Sequence, residues 1–351
     1  IVNIGLEGMM VIGTWFGAWA GWFYGPWYGV LAGLLGGALF GLIHAVGTIT
    51  FQVDHIVSGV AINILAAGVA RFLSVVAYAD VPAGGATQSP RVDERIEKIS
   101  IPYLSGGKIN ESDTADVFGS LEALDLFLIS DLFGLLGGLT RNISYFSILA
   151  ILLVPVSVWI LWSTSFGLQL RSVGEYPVGS ESVGVNVYLM KYIGVTISGA
   201  FAGLAGAYLV IESAGIYREG QTGGRGFIGL AAMIFGNWKP LGTFLGSSLF
   251  GYADSLQLRS EESVHGLLII IVCVLFIVGI RSFIKKNLRT AIFSFIFSGL
   301  FLFWFLNSST IPNEFVFFTP HITTLIVLSF ASQRLRMPKF IGKAYKKGEL
   351  N

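Results

Sequence analysis

Charged residues are scarce in this chain of 351 residues, since Asp, Glu, Lys and Arg together make up only 12% of it. Soluble domains carry roughly 25% charged residues. The shortage here, with 54% hydrophobic residues and a mean hydropathy of +0.73, excludes an ordinary soluble domain. The formal net charge of +1 gives no indication of nucleic-acid binding. Cys273 is the one cysteine, which excludes an intrachain disulfide and any cysteine-based metal site.

The chain also lacks Gly-x-x-x-x-Gly-Lys-Ser/Thr, the pattern with which many ATP-hydrolysing proteins hold phosphate. Gly-Lys occurs at 107–108 and at 342–343, but both copies lack the upstream glycine and the hydroxyl residue. The four histidines are too scattered to indicate a metal site. We therefore predict no catalytic residue, no metal and no cofactor in this chain, and we assign any ATP hydrolysis to a separate chain.

Long apolar segments are what the sequence has in abundance. A helix that crosses a bilayer needs about 20 mostly apolar residues. We predict an all-α, polytopic integral membrane protein with about nine transmembrane helices. The predicted helices cover residues 9–24, 28–46, 56–79, 144–162, 188–211, 241–256, 266–284, 291–306 and 315–331.

Residues 226–256 predict a broken element. The apolar segment 226–235 is too short to cross a membrane, and Gly236-Asn-Trp-Lys-Pro-Leu-Gly242, which follows it, is rich in residues that interrupt helices. We interpret the element as a re-entrant half-helix, a break and a second helix. Irregular backbone at that depth is tolerated where protein or a water-filled cavity covers it, so the break points to a translocation path. One long helix kinked by proline is the alternative.

The positions of Lys and Arg predict the orientation, because these residues favour cytoplasmic loops. Basic residues cluster at 281–289 and after residue 331, so we place both segments in the cytoplasm. Residues 80–142 hold ten acidic residues against five basic ones and form the predicted extracellular insertion. Residues 163–190, one helix further on, form a cytoplasmic loop. The predicted domains are a transmembrane domain, 1–331, and a basic cytoplasmic tail, 332–351.

Polar residues in apolar surroundings mark a candidate substrate path, because ionisable groups in a membrane are costly and tend to face a cavity or a partner. Glu7 lies in a glycine-rich stretch, and Ser58 and Asn63 are about one helical turn apart. Amides and hydroxyls in an apolar lumen suit an uncharged polar solute. Alternatively, Glu7 and Asp54 lie at the water interface and Asn63 ties helices together. The predicted path residues are Asn3, Glu7, Ser58, Asn63, Gly236 and Asn237.

A short polar segment, Gly174-Glu-Tyr-Pro-Val-Gly-Ser-Glu-Ser-Val-Gly184, separates two long apolar ones. It cannot lie in hydrocarbon, where its polar groups would be unsatisfied. It is also too short for a simple tether. We interpret it as a surface that the protein offers to a partner in the cytoplasm, where ATP is present.

These motifs resemble the membrane permeases of ABC importers of the branched-chain amino acid/ribose type. Leu170-Arg-Ser-Val-Gly-Glu-Tyr-Pro177, Gly184-Val-Asn-Val187 and Ser198-Gly-Ala-Phe-Ala-Gly-Leu-Ala-Gly206 carry this resemblance. Within the family, residues 3–10, 54–63 and 226–236 are similar to nucleoside (simple sugar) permeases that work with a nucleoside-binding lipoprotein. The resemblance extends from residue 2 to about 282, with 334–338. It implies a further family helix before Ile1 and is weaker over 287–330.

The resemblance implies that residues 174–184 form a short coupling helix that docks on an ATPase subunit. The residues that it assigns to this contact are Gly174, Glu175, Pro177, Ser180, Glu181 and Gly184. Family members often have alanine at Gly179, Ser180 and Ser182. The implied partners are an ABC ATPase with its ATP and magnesium, a second homologous permease, an extracellular substrate-binding lipoprotein and the lipid bilayer, without nucleic acid. The implied location is a bacterial cell membrane.

Two other functions remain open from the sequence. The same fold could carry a sugar or a branched-chain amino acid. A protein of a different class, an ion-coupled secondary transporter or channel, would need a buried carboxylate for its ion, and Glu7 or Asp54 could serve. The polar segment 174–184 favours the ATP-driven importer, because a secondary transporter has no need of it.

Overall fold

The computed structural model describes residues 2–109, 112–124, 129–256, 265–308, 311–312 and 335–347. Within these residues the fold is α-helical, apart from one hairpin of two-residue strands, β1 (Lys108–Ile109) and β2 (Ser112–Asp113). The helices are α1 (Leu6–Tyr24), α2 (Pro26–Ala45), α3 (His55–Tyr78), α4 (Val117–Glu122), α5 (Ile129–Thr140), α6 (Tyr145–Ser163), α7 (Ser165–Glu175), α8 (Pro177–Ser182), α9 (Val187–Tyr208), α10 (Arg225–Phe235), α11 (Pro240–Leu256), α12 (Leu267–Ile284) and α13 (Leu288–Asn307).

Two π-helical segments continue α2 and α9, at Val46–Thr50 and Leu209–Ala214. With these extensions, five of the described helical segments are long and apolar enough to cross a membrane: Pro26–Thr50, His55–Tyr78, Tyr145–Ser163, Val187–Ala214 and Leu288–Asn307. The predicted all-α, polytopic membrane fold is therefore confirmed. Eight of the nine predicted helices match observed helices to within three residues at each end, and the ninth, 315–331, lies outside the described residues.

The chain divides into two compact units, Ile1–Ala231 with Met337–Asn351, and Ala232–Arg336. In the first unit, α2 and α9 are in backbone contact through their glycines. A Cβ atom on Gly37 would lie 2.3 Å from the Gly199 carbonyl oxygen, and one on Gly203 would lie 2.2 Å from the Gly33 carbonyl oxygen. Small residues allow membrane helices to approach this closely, and any side chain at Gly203 would push the helices apart.

The segment that follows α3 is anchored on the residues that follow α9. The Ser89 N–H donates to the Tyr217 carbonyl at 3.1 Å, and the Val92 N–H donates to the Gly215 carbonyl at 2.9 Å. The Lys98 ammonium lies 3.4 Å from the buried Glu212 carboxylate. These contacts fix the beginning of the 80–142 insertion on the residues that follow α9.

The predicted break after residue 235 is a turn between two separate helices. α10 ends at Phe235 and α11 begins at Pro240, a residue suited to the first helical position. Asn237 and Trp238 adopt positive φ angles of 56° and 55°. A Cβ atom on Gly236 would lie 2.2 Å from the Thr243 nitrogen, so this position requires glycine. One continuous kinked helix, the alternative interpretation, is not observed in these described residues.

Candidate translocation path and coupling site

Glu7, in the first turn of α1, binds the beginning of α10. Its carboxylate accepts hydrogen bonds from the Thr222 hydroxyl at 2.6 Å, the Gly224 N–H at 2.9 Å and the Gly226 N–H at 2.7 Å. The first N–H groups of a helix have no partner within the helix, and the helix dipole favours an anion there. Glu7 therefore caps α10 from a distant part of the chain and couples it to α1.

The fit around Glu7 also depends on the absence of a side chain at Gly226. A Cβ atom on Gly226 would lie 2.5 Å from both the nitrogen and the Cα of Glu7, which no ordinary contact allows. Gly224 has a φ of +82°, a conformation that L side chains rarely adopt. The glycines before and within the first turn of α10 thus bring its N–H groups within reach of the carboxylate.

Asn63 ties α3 to the chain at the beginning of α1. Its side-chain oxygen accepts a hydrogen bond from the Gly8 N–H at 2.7 Å, and its side-chain nitrogen donates to the Ile4 carbonyl at 3.2 Å. Both ends of the amide are used, so Asn63 has the helix-tying role that the sequence left open as an alternative. Asp54 likewise caps a helix, because its carboxylate accepts from the Ile56 and Val57 N–H groups at the start of α3.

Asn3 and Ser58 are buried near the same end of these helices. The Asn3 side-chain nitrogen donates to the Ser198 hydroxyl of α9 at 3.0 Å. The Ser58 hydroxyl lies 2.9 Å from Nδ1 of His44, at the end of α2. The residues before α1 and three helices, α2, α3 and α9, therefore contribute buried or partly buried polar groups to this part of the first unit.

The predicted path residues thus fall into two sets. Asn3, Glu7, Ser58 and Asn63 all lie in the first unit, whereas Gly236 and Asn237 belong to the second. In the second unit, the Asn237 side-chain oxygen accepts a hydrogen bond from the Arg336 N–H at 2.6 Å. That these six residues line one path stays a prediction.

Sequence reasoning missed the partners of these residues. Thr222, Ser198 and His44 were not expected, because Thr222 and Ser198 lie 215 and 195 positions from the side chains that they bind. The one available signal was the Gly223-Gly224 pair before α10. Such a pair indicates that the backbone N–H groups at the start of the helix can approach an acceptor closely. Nothing in the local sequence indicates that the acceptor is Glu7.

The polar segment 174–184 does not form the single helix that the family resemblance implied. The expected coupling helix covers only six residues, Pro177–Ser182, because Pro177 takes the first helical position and Tyr176 separates it from α7. Gly174 and Glu175 form the end of α7 instead, and Gly184 ends the segment with a φ of +88°. Pro177 and Ser180 are buried.

The tail segment, residues 337–347, packs on this loop. The Phe340 N–H donates to the Gly174 carbonyl at 3.0 Å, and the Tyr345 hydroxyl donates to the Glu181 carboxylate. The Lys347 ammonium lies 3.6 Å from the same carboxylate. Burial, together with the hydrogen bond to Glu181, raises the pKa of Tyr345 to about 12. The tail is thus tied to α8 and to the end of α7.

Comparison with known proteins agrees with the resemblance inferred from the motifs. The family described as Branched-chain amino acid transport system / permease component matches residues 1–278. The guanosine ABC transporter permease protein NupQ of Bacillus subtilis is 35% identical, over 99% of this chain and 89% of that protein. The nucleoside ABC transporter permease protein NupC of Lactococcus lactis is 31% identical over the same shares.

More distant relatives have other substrates in their names. The putative glucose ABC transporter permease protein TsgC13 of Haloferax volcanii is 29% identical, over 75% of this chain and 70% of that protein. No solved structure matches the chain significantly. Because the family match covers well over half of the sequence and is joined by relatives over nearly the full length, the chain belongs to the permease component family of the branched-chain amino acid transport systems.

Proposed function

We propose that this chain is the membrane-spanning subunit of an ATP-driven nucleoside importer in a bacterial cell membrane. The observation that carries the proposal is its similarity, over 99% of its length, to permeases named for guanosine and nucleoside transport. The glucose permease is less similar and matches less of the chain, so a nucleoside is favoured over a sugar.

The proposed importer obtains its energy from a separate subunit. This chain lacks the phosphate-binding pattern, so ATP and magnesium bind to a partner ATPase, and the chain itself holds no cofactor. The ATPase docks on α8 and its flanking residues, Gly174, Glu175, Pro177, Ser180, Glu181 and Gly184. A second homologous permease completes the membrane part, and an extracellular lipoprotein delivers the substrate.

The proposed path passes the start of α1, with Asn3, Glu7, Ser58 and Asn63, and the turn with Gly236 and Asn237. The amides of Asn3 and Asn63 and the hydroxyl of Ser58, all buried or partly buried, support it, because a nucleoside is an uncharged solute with many hydrogen-bonding groups. The hydrogen bonds of Glu7 indicate a structural role for this residue. Its carboxylate holds α10 in place beside the path and does not itself bind the solute.

Uptake by reconstituted vesicles tests the proposal. The permease, its homologous partner, the ATPase and the binding lipoprotein are reconstituted, and uptake of labelled guanosine is measured with ATP supplied on the ATPase side. We expect that uptake requires ATP hydrolysis and that an excess of unlabelled nucleosides abolishes it. Absence of guanosine uptake, together with ATP-dependent uptake of labelled glucose or leucine, would assign the importer to a different substrate. Uptake driven by an ion gradient in the absence of ATP would overturn the ATP-driven mechanism.

A further inference from the structure

α8 is too short to hold its own position. It has six residues, and isolated helices shorter than about 12 residues are marginal in water. Only two of its residues, Pro177 and Ser180, are buried. A mechanical signal that enters through α8 can reach the membrane helices only if other parts of the protein hold α8 against them.

The tail segment supplies such support through a buried aromatic contact. Tyr345 is only 4% exposed and packs with Val173 of α7 and with Val187 and Met190 of α9. Phe340 packs against the same cluster. The tail therefore joins the helix before α8 to the helix after it.

A cation on α9 contributes to the same contact. The Lys191 ammonium lies 5.2 Å from the ring centroid of Tyr345 and 5.5 Å from that of Phe340. A cation over an aromatic face at this distance is attracted by the ring. Both tail aromatics are thus held on α9 by packing and by charge.

Tyr345 also binds α8 directly. Its hydroxyl donates to the Glu181 carboxylate, a charge-assisted hydrogen bond between a buried group and a partly buried one. Tyr176 and Val183, on either side of α8, are 60% and 78% exposed. The tail therefore holds one side of α8 and leaves the residues that flank it accessible.

We infer that the tail segment is a working part of the ATPase-coupling element, with Tyr345 and Phe340 as positioning residues that hold α8 rigidly between α7 and α9. The inference rests on the proposed function, because it needs an ATPase that pushes on α8. A rigid connection turns a movement of α8 into a movement of the packed helices on both sides. A loose one lets the ATPase move α8 without moving the path.

The first experiment measures the rigidity of α8 in the isolated, full-length permease. Exposed Cys273 is replaced by serine, Val183 by cysteine, and a spin label is attached at residue 183. We expect Tyr345→Phe and Glu181→Gln each to increase the mobility of the label. Tyr28→Phe, the same chemical change at an exposed tyrosine of α2, is the matched control and should leave the spectrum unchanged. Unchanged label mobility in Tyr345→Phe and Glu181→Gln would overturn the inference.

The second experiment measures coupling in the reconstituted importer, as labelled guanosine transported per ATP hydrolysed, with the amount of assembled complex determined in parallel. We expect Tyr345→Phe to lower this ratio at least about tenfold, the smallest factor that corresponds to loss of one hydrogen bond to a charged group. Glu181→Gln should do the same, and the double variant should be no worse than either. A merely structural role would reduce the amount of complex and leave the ratio unchanged, and this result would overturn the inference. If the wild type transports no nucleoside while the label still responds to Tyr345→Phe, the proposed function fails and the support of α8 by the tail stands.

Discussion

Replacing Glu7 by glutamine should loosen the beginning of α10 without removing a side chain. The carboxylate uses Oε1 for Thr222 and Gly224, and Oε2 for Gly226. An amide has only one oxygen, so its NH2 group must face one of these donors. The best arrangement keeps the oxygen on Thr222 and Gly224 and leaves the N–H of Gly226, which is buried, without an acceptor.

The size of the effect follows from the bond that is lost. A hydrogen bond to a charged group contributes about 1.5–3 kcal/mol, and a buried donor without a partner costs a similar amount. A loss of about 2 kcal/mol corresponds to a roughly 30-fold increase in local opening, since about 1.4 kcal/mol is tenfold. Glu7→Ala removes all three acceptor contacts and should have a larger effect.

Hydrogen exchange of the full-length permease, followed on peptides that span residues 222–228, measures this opening directly. We expect exchange there to become roughly 30-fold faster in Glu7→Gln. Glu219→Gln is the matched control, because Glu219 lies in the same loop and loses a charge in the same way. Its carboxylate is partly exposed and forms an ion pair with Arg71 at 3.6 Å, and such a pair contributes about 0–1 kcal/mol. Equal exchange in the two variants would refute the idea that Glu7 holds the start of α10.

Three further predictions concern the packing of α9 and the contacts of the tail segment. Gly203→Ala should lower the thermal stability of the purified permease, because overpacking a contact costs about 1–3 kcal/mol. Gly68 has open space around it, so Gly68→Ala is the control and should not lower the stability. Equal melting temperatures of the two variants would contradict the close packing at Gly203. Lys347→Ala should change the free energy of unfolding by less than about 1 kcal/mol, because the ammonium is 76% exposed and 3.6 Å from Glu181; a larger loss would mean that charge, not Tyr345, holds the tail. Tyr345 should ionise near pH 12. Because its pKa is raised, the stability that Tyr345 contributes is fully present below about pH 10 and is lost as the pH rises through 12. The measurement is the phenolate absorbance of the wild type minus that of Tyr345→Phe, followed over pH. A midpoint near pH 10 in this difference would contradict the prediction.

The membrane helices could be predicted from the sequence because hydropathy is a local property. A run of about 20 apolar residues must be helical in a bilayer, whatever it packs against. The break at 236–242 could also be predicted, since glycine and proline act on the backbone where they stand. The contacts between distant segments were harder to predict. The hydrogen bonds of Glu7, for example, join residues more than 200 positions apart in the sequence.

The polar segment 174–184 likewise could be predicted in part. The family resemblance implied a short helix here but extended it over Gly174 and Gly184, which lie outside α8 in the structure. Sequence reasoning also treated the end of the chain as a basic tail and took no account of its two aromatic residues. Phe340 and Tyr345 among many lysines were the available signal, because buried aromatics contribute far more to packing than exposed lysines do.

The two carboxylates on which an ion-coupled mechanism would depend are both engaged as helix caps. Asp54 accepts the first N–H groups of α3, and Glu7 accepts those at the start of α10. A carboxylate that binds and releases a coupling ion in each cycle would have to break its bonds to the helix each time, and at Glu7 this would leave the buried Gly226 N–H unpaired. The cap at Glu7 gives a steady connection between α1 and α10, which suits a transporter whose energy arrives from another subunit. The helix-capping roles of Glu7 and Asp54 therefore support the proposal that energy enters through α8 and the tail segment that holds it.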